Sequence, residues 1–497
     1  MKKRNIKKVI LGLFLSISFI GCDDLKRFPY DAIEQSQSFQ TVNDAATWNN
    51  GLYASFRGVL YGQYMFSTDV QADQLNATLD YGNRNGNPHR WEGFLADDYT
   101  VRDVWFGYYA RISDLNAAIE GMSTIVTDSP EEEAELERYI ADAYFARAFY
   151  YHNLVVRYAS DYDPASASSD LGVPLMLQYD ISARPSRSTV EQVYQQILAD
   201  IDAARPALSQ VSGEQGAQRF NADVLTAFEA RVKFYMEDWA GAKAAADELI
   251  NSGDYPLINN QADFRDMWVN DYDQEVIMQV YVEAPNELAN TNSIYLGFSG
   301  GTGLFTPDFL PTQWMVDLYE DDDIRKDVYF LNDTIVMSSI TYTDLFMVNK
   351  YPGNPDLWTG ANTNYQQAPK VFRIAEMYLI SAEAALSISE SQALAPLNEL
   401  RQARGLSAVD ASGSALVDAV REERTRELAF EGFRLDDLRR WDLGFTRRDP
   451  QNTDPLQPGA NYYTKSVEAS NPKFIWGIPT NDILINPGLA GEQNPGW

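Results

Sequence analysis

Cys22 is the only cysteine of the 497-residue chain, and it directly follows a short apolar run. The chain opens MKKRNIKK, continues VILGLFLSISFI and reaches Gly21-Cys22-Asp23-Asp24. Five basic residues, 12 residues without a charge and then a small residue make the layout of a secretory signal peptide. The run is too short to span a bilayer, which takes about 20 residues. An exported chain with one cysteine can form no internal disulfide, so whatever it folds into must be held by its core.

Phe19-Ile20-Gly21-Cys22 resembles a bacterial lipobox. In such signals the peptide is cut before the cysteine and the thiol carries a lipid. The resemblance implies a signal peptide over 1–21, lipidation at Cys22 and a tether over 22–38. Fully extended, that tether of roughly 16 residues reaches about 50 Å. The alternative, a plain secretory signal, needs the lone thiol to fall at the cleavage point by chance.

The remainder is long enough for a large core or two closely joined lobes. The chain holds 40 Lys+Arg and 71 Asp+Glu, and the first 21 residues take five of the basic ones and no acid, so the rest carries 36 net negative charges. Such a polyanion repels nucleic acid and anionic lipid, and the charge reads first as solubility on a crowded cell surface. Aromatic residues make up 13 % of the chain. Those in loops suit carbohydrate, because their faces are flat, apolar and rigid.

Two helical blocks flank an irregular middle. Helices are expected over 39–58, 101–122, 130–158, 188–207, two within 221–252, then over 369–388, 391–404 and 413–441. Ser129-Pro130 followed by Glu131 to Glu133 supplies a cap, a proline at the first position and acids facing the dipole. Val190, Val193, Tyr194, Ile197, Leu198 and Ile201 recur at three and four. Residues 59–98 read as one long loop. Residues 254–368 lose the helical rhythm and read as short strands and loops, with a short helix near 312–320; a loop-rich stretch this long is usually functional. Ala230 and Ala242 stand where tetratricopeptide repeats use small residues, while Lys233 breaks that pattern. The expected class is mainly α: about four tetratricopeptide-like helix hairpins forming a scaffold, with an irregular loop-rich region carrying short strands.

Five segments in order carry a family resemblance: AYFARAFYYHNLVVRY at 143–158 with Gly172-Val173-Pro174-Leu175, AFEARVKFYMEDWAGAKAAADELINSGDYPL at 227–257, RIAEMYLISAEAA at 373–385 with LNELRQARG at 397–405, REERTRELAFEGFRLDDLRRW at 421–441, and the ending IPTNDILINPGLAGEQNPGW. The chain resembles the SusD/RagB family of Bacteroidetes outer-membrane nutrient-binding lipoproteins; Asp482 and Trp497 depart from the family ending. Asp23-Asp24 likewise resembles the acidic export signal of Bacteroidetes surface lipoproteins. The resemblance implies one domain over 39–497, with helical scaffold at 39–258 and 369–497 and a variable ligand face at 259–368. It implies a surface glycan-binding lipoprotein that captures oligosaccharides for a SusC-type TonB-dependent transporter, or, as the alternative, a peptide-binding component of such a complex.

Catalytic and metal motifs weigh little. Gly297-Phe298-Ser299-Gly300-Gly301 matches G-x-S-x-G, yet both histidines, His89 and His152, precede the serine and no helical pattern follows. One cysteine and two histidines make no convincing zinc site, and no phosphate-cradling loop occurs. Glu320 to Asp323 lacks the glycine-spaced loop of calcium sites and reads as a solvated turn. Glu423, Arg424, Glu427, Glu431, Arg434, Asp437 and Arg440 read as scaffold salt bridges before a catalytic carboxylate pair. His152 reads as packed, and His89 as outside the ligand site. Trp105, Trp239, Trp268, Trp314 and Trp441 read as core.

The expected ligand contacts are loop aromatics beside polar groups: Asp73, Asn76, Tyr81, Arg84 and Trp91 in the first loop, and Tyr295, Phe298, Phe305 and Trp358 in the middle region. Sugar C–H faces stack on rings, while Asp, Asn and Arg fix hydroxyls. No catalytic residue, metal or cofactor is expected. A glycoside hydrolase and a purely structural adaptor remain the competing classes.

Overall fold

The computed structural model describes residues 38–299, 303–360 and 363–497. The signal peptide, Cys22, the tether up to residue 37, and Gly300 and Gly301 of the G-x-S-x-G match lie outside the described residues.

The N-terminal block holds α1 (Val42–Arg57), α2 (Gln63–Gln71), β1 (Leu75–Ala77), α3 (Gly86–Arg90), α4 (Tyr99–Met122), α5 (Pro130–Tyr158), α6 (Val190–Leu208), α7 (Ala222–Tyr235) and α8 (Trp239–Ser252). Local chemistry sets their starts. Thr41 with Asp44, and Thr189 with Gln192, close capping boxes on α1 and α6. Ser129 caps α5 with Pro130 at its first turn. Asn221 and Asp238 cap α7 and α8, which are joined by a three-residue turn with Glu237 left-handed at φ 56°.

The middle holds α9 (Gln261–Val269), β2 (Val276–Gln279), β3 (Phe298–Ser299), β4 (Leu304–Phe305), β5 (Phe309–Pro311), α10 (Gln313–Asp317), α11 (Lys326–Tyr329), β6 (Phe330–Met337) and β7 (Ile340–Val348). The C-terminal block holds β8 (Lys370–Arg373), α12 (Ile374–Ile388), α13 (Leu394–Ala403), α14 (Ser414–Glu427), α15 (Arg434–Arg440), β9 (Phe445–Thr446), α16 (Ala460–Tyr463), β10 (Ser466–Val467) and α17 (Thr480–Ile485).

The scaffold is built as adjacent helix pairs. α4 packs on α5, α5 on α6, α7 on α8, and α12 on α8, α13 and α14. α5 from Ala141 and α12 up to Ala385 are buried on nearly all sides, so these two are the central helices of the array. His152 is buried on α5 among Tyr194, Phe228 and Tyr235, as a packed residue. Trp105, Trp268 and Trp441 are buried, and Trp239 and Trp314 half-buried.

In the middle, β3, β4, β6 and β7 form one sheet, with β4 parallel to β6. β1 pairs antiparallel with β5, Asn76 opposite Leu310. β2 pairs antiparallel with β8, feeding the loop-rich region into α12.

Four expectations need correction, the first being that 254–368, read as strands and loops with a short helix near 312–320, also holds α9, started by the Asn260 cap. The stretch 59–98 contains α2, β1 and α3 rather than loop alone, because Leu75 to Ala77 finds a partner strand more than 230 residues away. Residues 370–373 are β8, so the helix expected from 369 begins at Ile374. The helix expected over 413–441 is two, because Phe430 (φ 62°) and Gly432 (φ 82°) turn the chain between α14 and α15.

The charged C-terminal run is a buried ion-pair hub. Glu427 accepts from Arg325 at 2.9 Å, Arg373 at 2.7 Å and Arg404 at 3.0 Å. Asp323 and Glu423 complete the shell of Arg325, Glu275 that of Arg404, and Glu431 holds Lys350 at 2.7 Å. Burial raises the Glu427 pKa, but the three guanidinium groups outweigh it and hold it well below the usual carboxylate range. The same contacts bury Asp323, the last residue of the acidic turn, beside Arg325. The hub links the loop-rich middle to β8 and the C-terminal helices.

Candidate functional site

Four of the nine expected contact residues keep an open side chain. Phe298 and Phe305 sit opposite each other across β3 and β4, ring centroids 5.1 Å apart, both half-buried. Arg84 is exposed and held by Asp308 through Nε at 2.6 Å and a second contact through Nη2. Burial pushes the Asp308 pKa up, against the pull of Arg84. Trp358 is half-buried after a short 3₁₀ turn, and its indole N–H has no partner among the described residues.

The other five pack inward. Asp73 is buried against Arg434, which donates to it at 2.9 and 2.8 Å. Asn76 is enclosed in β1 and donates to the Tyr462 carbonyl at 3.2 Å. Trp91 donates to the Gln71 carbonyl at 2.8 Å and packs edge-on against Phe445 and Phe474. Tyr295 is buried beside Tyr351 and Phe430. Tyr81 is buried against Phe309, and its hydroxyl meets the Tyr462 hydroxyl at 3.2 Å while accepting from Arg90. His89 is also enclosed, with Nδ1 on the Val70 carbonyl at 2.9 Å. These side chains pack inward instead of facing outward.

A third segment, which the reading by loop regions missed, completes the face. Residues 453–463 run beside β1: Leu79 N–H donates to the Pro455 carbonyl at 2.8 Å, and Gln457 N–H to that of Ala77 at 3.0 Å. They bring Tyr462 and Tyr463, both half-buried, next to the first loop. Tyr342 on β7 joins them. The available signal was the Tyr-Tyr pair after Pro458-Gly459, aromatic residues in a turn-rich stretch. The hairpin of β6 and β7 is fastened to the first loop by Asp80, which accepts from Ser338 N–H at 2.6 Å and its hydroxyl at 3.0 Å. Beside this face a groove of about 350 Å³ is lined by Gln63, Tyr64, Asp103, Asn290, Thr291 and Ser293, a mix of ring, amide, hydroxyl and carboxylate.

A separate cavity of about 100 Å³ lies where α5, α7, β8 and residues 428–436 meet. Arg157 and Asp436 line it, both buried and with no side-chain hydrogen-bond or ion-pair partner among the described residues. Burial pushes the Asp436 pKa up to about 6. The volume accommodates about three water molecules, which is too small for a sugar ring. Among the described residues no cluster of three or more His, Cys, Asp or Glu is placed to hold a metal, and no helix is long and apolar enough to cross a membrane.

Two family models match the chain: one described as the SusD family over residues 339–497, and one described as starch-binding, associating with the outer membrane, over 31–235. A SusD-like protein of Formosa agariphila is 24 % identical, with 99 % of each chain covered. Among solved structures, a SusD superfamily protein from Bacteroides thetaiotaomicron superposes with a TM-score of 0.77 at 23 % identity, covering 92 % of this chain and all of its own. A laminarin-binding SusD-like protein superposes with a TM-score of 0.66 at 21 % identity, again over 92 % of this chain and all of its own. Matching family models at both ends, full-length relatives and the shared helical fold place the chain in the SusD/RagB family.

Proposed function

We propose that the protein is a non-catalytic surface lipoprotein that binds glycans on the face built from the described residues of 79–91, 298–308, 340–358 and 453–463, and passes oligosaccharides to an outer-membrane transporter. The observation that carries this reading is the packing of the half-buried rings of Phe298, Phe305, Tyr342 and Tyr463 in one cluster with Leu79, with Tyr462 against Tyr81 and the Arg84–Asp308 pair tying the first loop to the segment between β4 and β5. Rings stack on sugar C–H faces, and the charged pair presents acceptors and donors for hydroxyls. The starch-binding description of one family model and the laminarin-binding relative support glycan as the ligand class. In this reading Cys22 carries the lipid, 22–38 is the tether, and 39–497 acts as one unit whose ligand face is supplied chiefly by 259–368. The acidic balance of the chain supports a second reading, a cationic peptide as ligand.

The test is affinity electrophoresis of the protein from Asp23 onward against a panel of soluble polysaccharides, with Phe305→Ala and Trp358→Ala. Retardation by at least one glycan, lost in these variants, is the expected result. Migration unchanged by every glycan, together with salt-sensitive retention of a lysine-rich peptide, overturns it in favour of the second reading.

A further inference from the structure

The described residues of the four segments that frame the proposed face, 73–98, 281–308, 330–365 and 446–466, carry few basic side chains, and nearly all of these are already engaged by the protein. Arg84 is clasped by Asp308. Arg90 directs one terminal nitrogen to the Tyr81 hydroxyl and Asn83 Oδ1, both at 2.6 Å, and the other to Asn87 Oδ1 at 2.9 Å. Lys350 and Arg447 are fully buried; Lys350 meets Glu431 and two carbonyls, and Arg447 the carbonyls of His89 at 2.9 Å and Ala72 at 2.7 Å. Lys465 stands 4.0 Å from Glu92. Arg448 is the exception: it is exposed, and its guanidinium lies over the Trp314 ring at 5.3 Å.

Asp73, Asp308 and Glu287 of the same segments are ion-paired, but several other acids are in the opposite state. Asp333, Asp344, Asp356 and Asp454 are exposed and form no ion pair, and Asp80 is exposed and bonded only to the hairpin turn. A receptor for sulfate or carboxylate groups presents unengaged guanidinium forks or ammonium groups, since charge-assisted bidentate contacts supply the recognition. Here a polyanionic chain would meet exposed carboxylates that no cation neutralises, and their repulsion reaches about 10 Å at 0.1 M salt. An uncharged sugar suffers no such repulsion: its hydroxyls donate to the carboxylates, and its ring faces stack on the aromatics.

We infer that the ligand is an uncharged glycan, and that chains carrying uronate or sulfate groups are rejected by the face itself. The inference rests on the glycan-binding reading above and names its substrate class. The experiment runs the protein from Asp23 onward in affinity gels at 50 and 500 mM NaCl. The gels contain laminarin, starch or xylan as neutral probes, and alginate, polygalacturonate or carrageenan as acidic ones. Arg84→Gln, Arg90→Gln and Arg448→Gln are run alongside. The expected result is retardation by a neutral polysaccharide that changes less than about twofold between the two salts, with no retardation by any acidic one. Retention of an acidic polysaccharide by the unmodified protein overturns the inference while leaving glycan binding intact, and its loss at high salt or in an arginine variant identifies the cation responsible. Retention of no polysaccharide at either salt overturns the glycan-binding reading itself, and this inference with it.

Discussion

Asp69 on α2 is fully enclosed, with one carboxyl oxygen accepting from Gly432 N–H at 3.0 Å and the other without a partner. Burial pushes its pKa up to about 8, against the opposing pull of the Gly432 N–H, Lys350 and Arg157. A carboxyl protonated in the fold but ionised in the unfolded chain favours folding at low pH. That contribution is lost as pH rises from about 4 towards 8. Asp69→Asn keeps an acceptor for Gly432 and cannot ionise. In urea unfolding the variant is expected to gain stability relative to the parent between pH 5 and pH 8, by at least about 1 kcal/mol. An unchanged difference between the two pH values would show that the carboxyl is ionised in the fold. Burial at single positions is also where sequence reading fell short. Trp91, Tyr81 and Tyr295 stand among Gly and Asn, as loop contacts would, and nothing local reveals that Phe474, Tyr462 and Tyr351, far along the chain, cover them.

The β6–β7 hairpin joins its strands through Ser338 and Ser339, both at positive φ (50° and 67°). Two left-handed residues in a two-residue connection are the type I′ arrangement, which favours Asn-Gly. Ser339→Gly relieves one strained position and is expected to raise stability by about 0.5–1 kcal/mol, read as a shifted urea midpoint with unchanged slope. Asp80→Ala removes the acceptor that fastens this turn to the first loop. Lower glycan affinity with an unchanged unfolding midpoint is expected, measured by calorimetric titration; equal affinity would separate the hairpin from the binding face. At this scale the helices were legible, because caps, an N-terminal proline and three–four periodicity act within a few residues. α5 begins and ends where Ser129-Pro130 and the periodic run predict. β1, β5 and β8 were not, because short strands exist only through partners remote in sequence.

Across the whole molecule, the ion-pair hub decides whether the loop-rich middle can behave separately from the scaffold. Arg325 and Lys350 belong to the middle, Arg373 to β8, Arg404 follows α13, and the acceptors Glu423, Glu427 and Glu431 lie on or after α14. The charge run at 421–441 was legible as salt-bridging scaffold, but not its reach across five segments, since i,i+4 spacing reports only partners on the same helix. Removing one partner of such a buried cluster leaves the others uncompensated, which costs about 3–5 kcal/mol. Glu427→Ala is therefore expected to lower the unfolding midpoint strongly, and Glu427→Gln less. The unit proposed over 39–497 predicts how that loss is distributed. Far-UV circular dichroism follows the helices, and hydrogen exchange read on peptides of 259–368 follows the middle. Both signals should change in one coincident transition in the parent and shift together in the Glu427 variants. Loss of exchange protection in the middle peptides that precedes the helical transition would mean that the middle unfolds by itself, and that the hub anchors a separable ligand-face module rather than one cooperative domain.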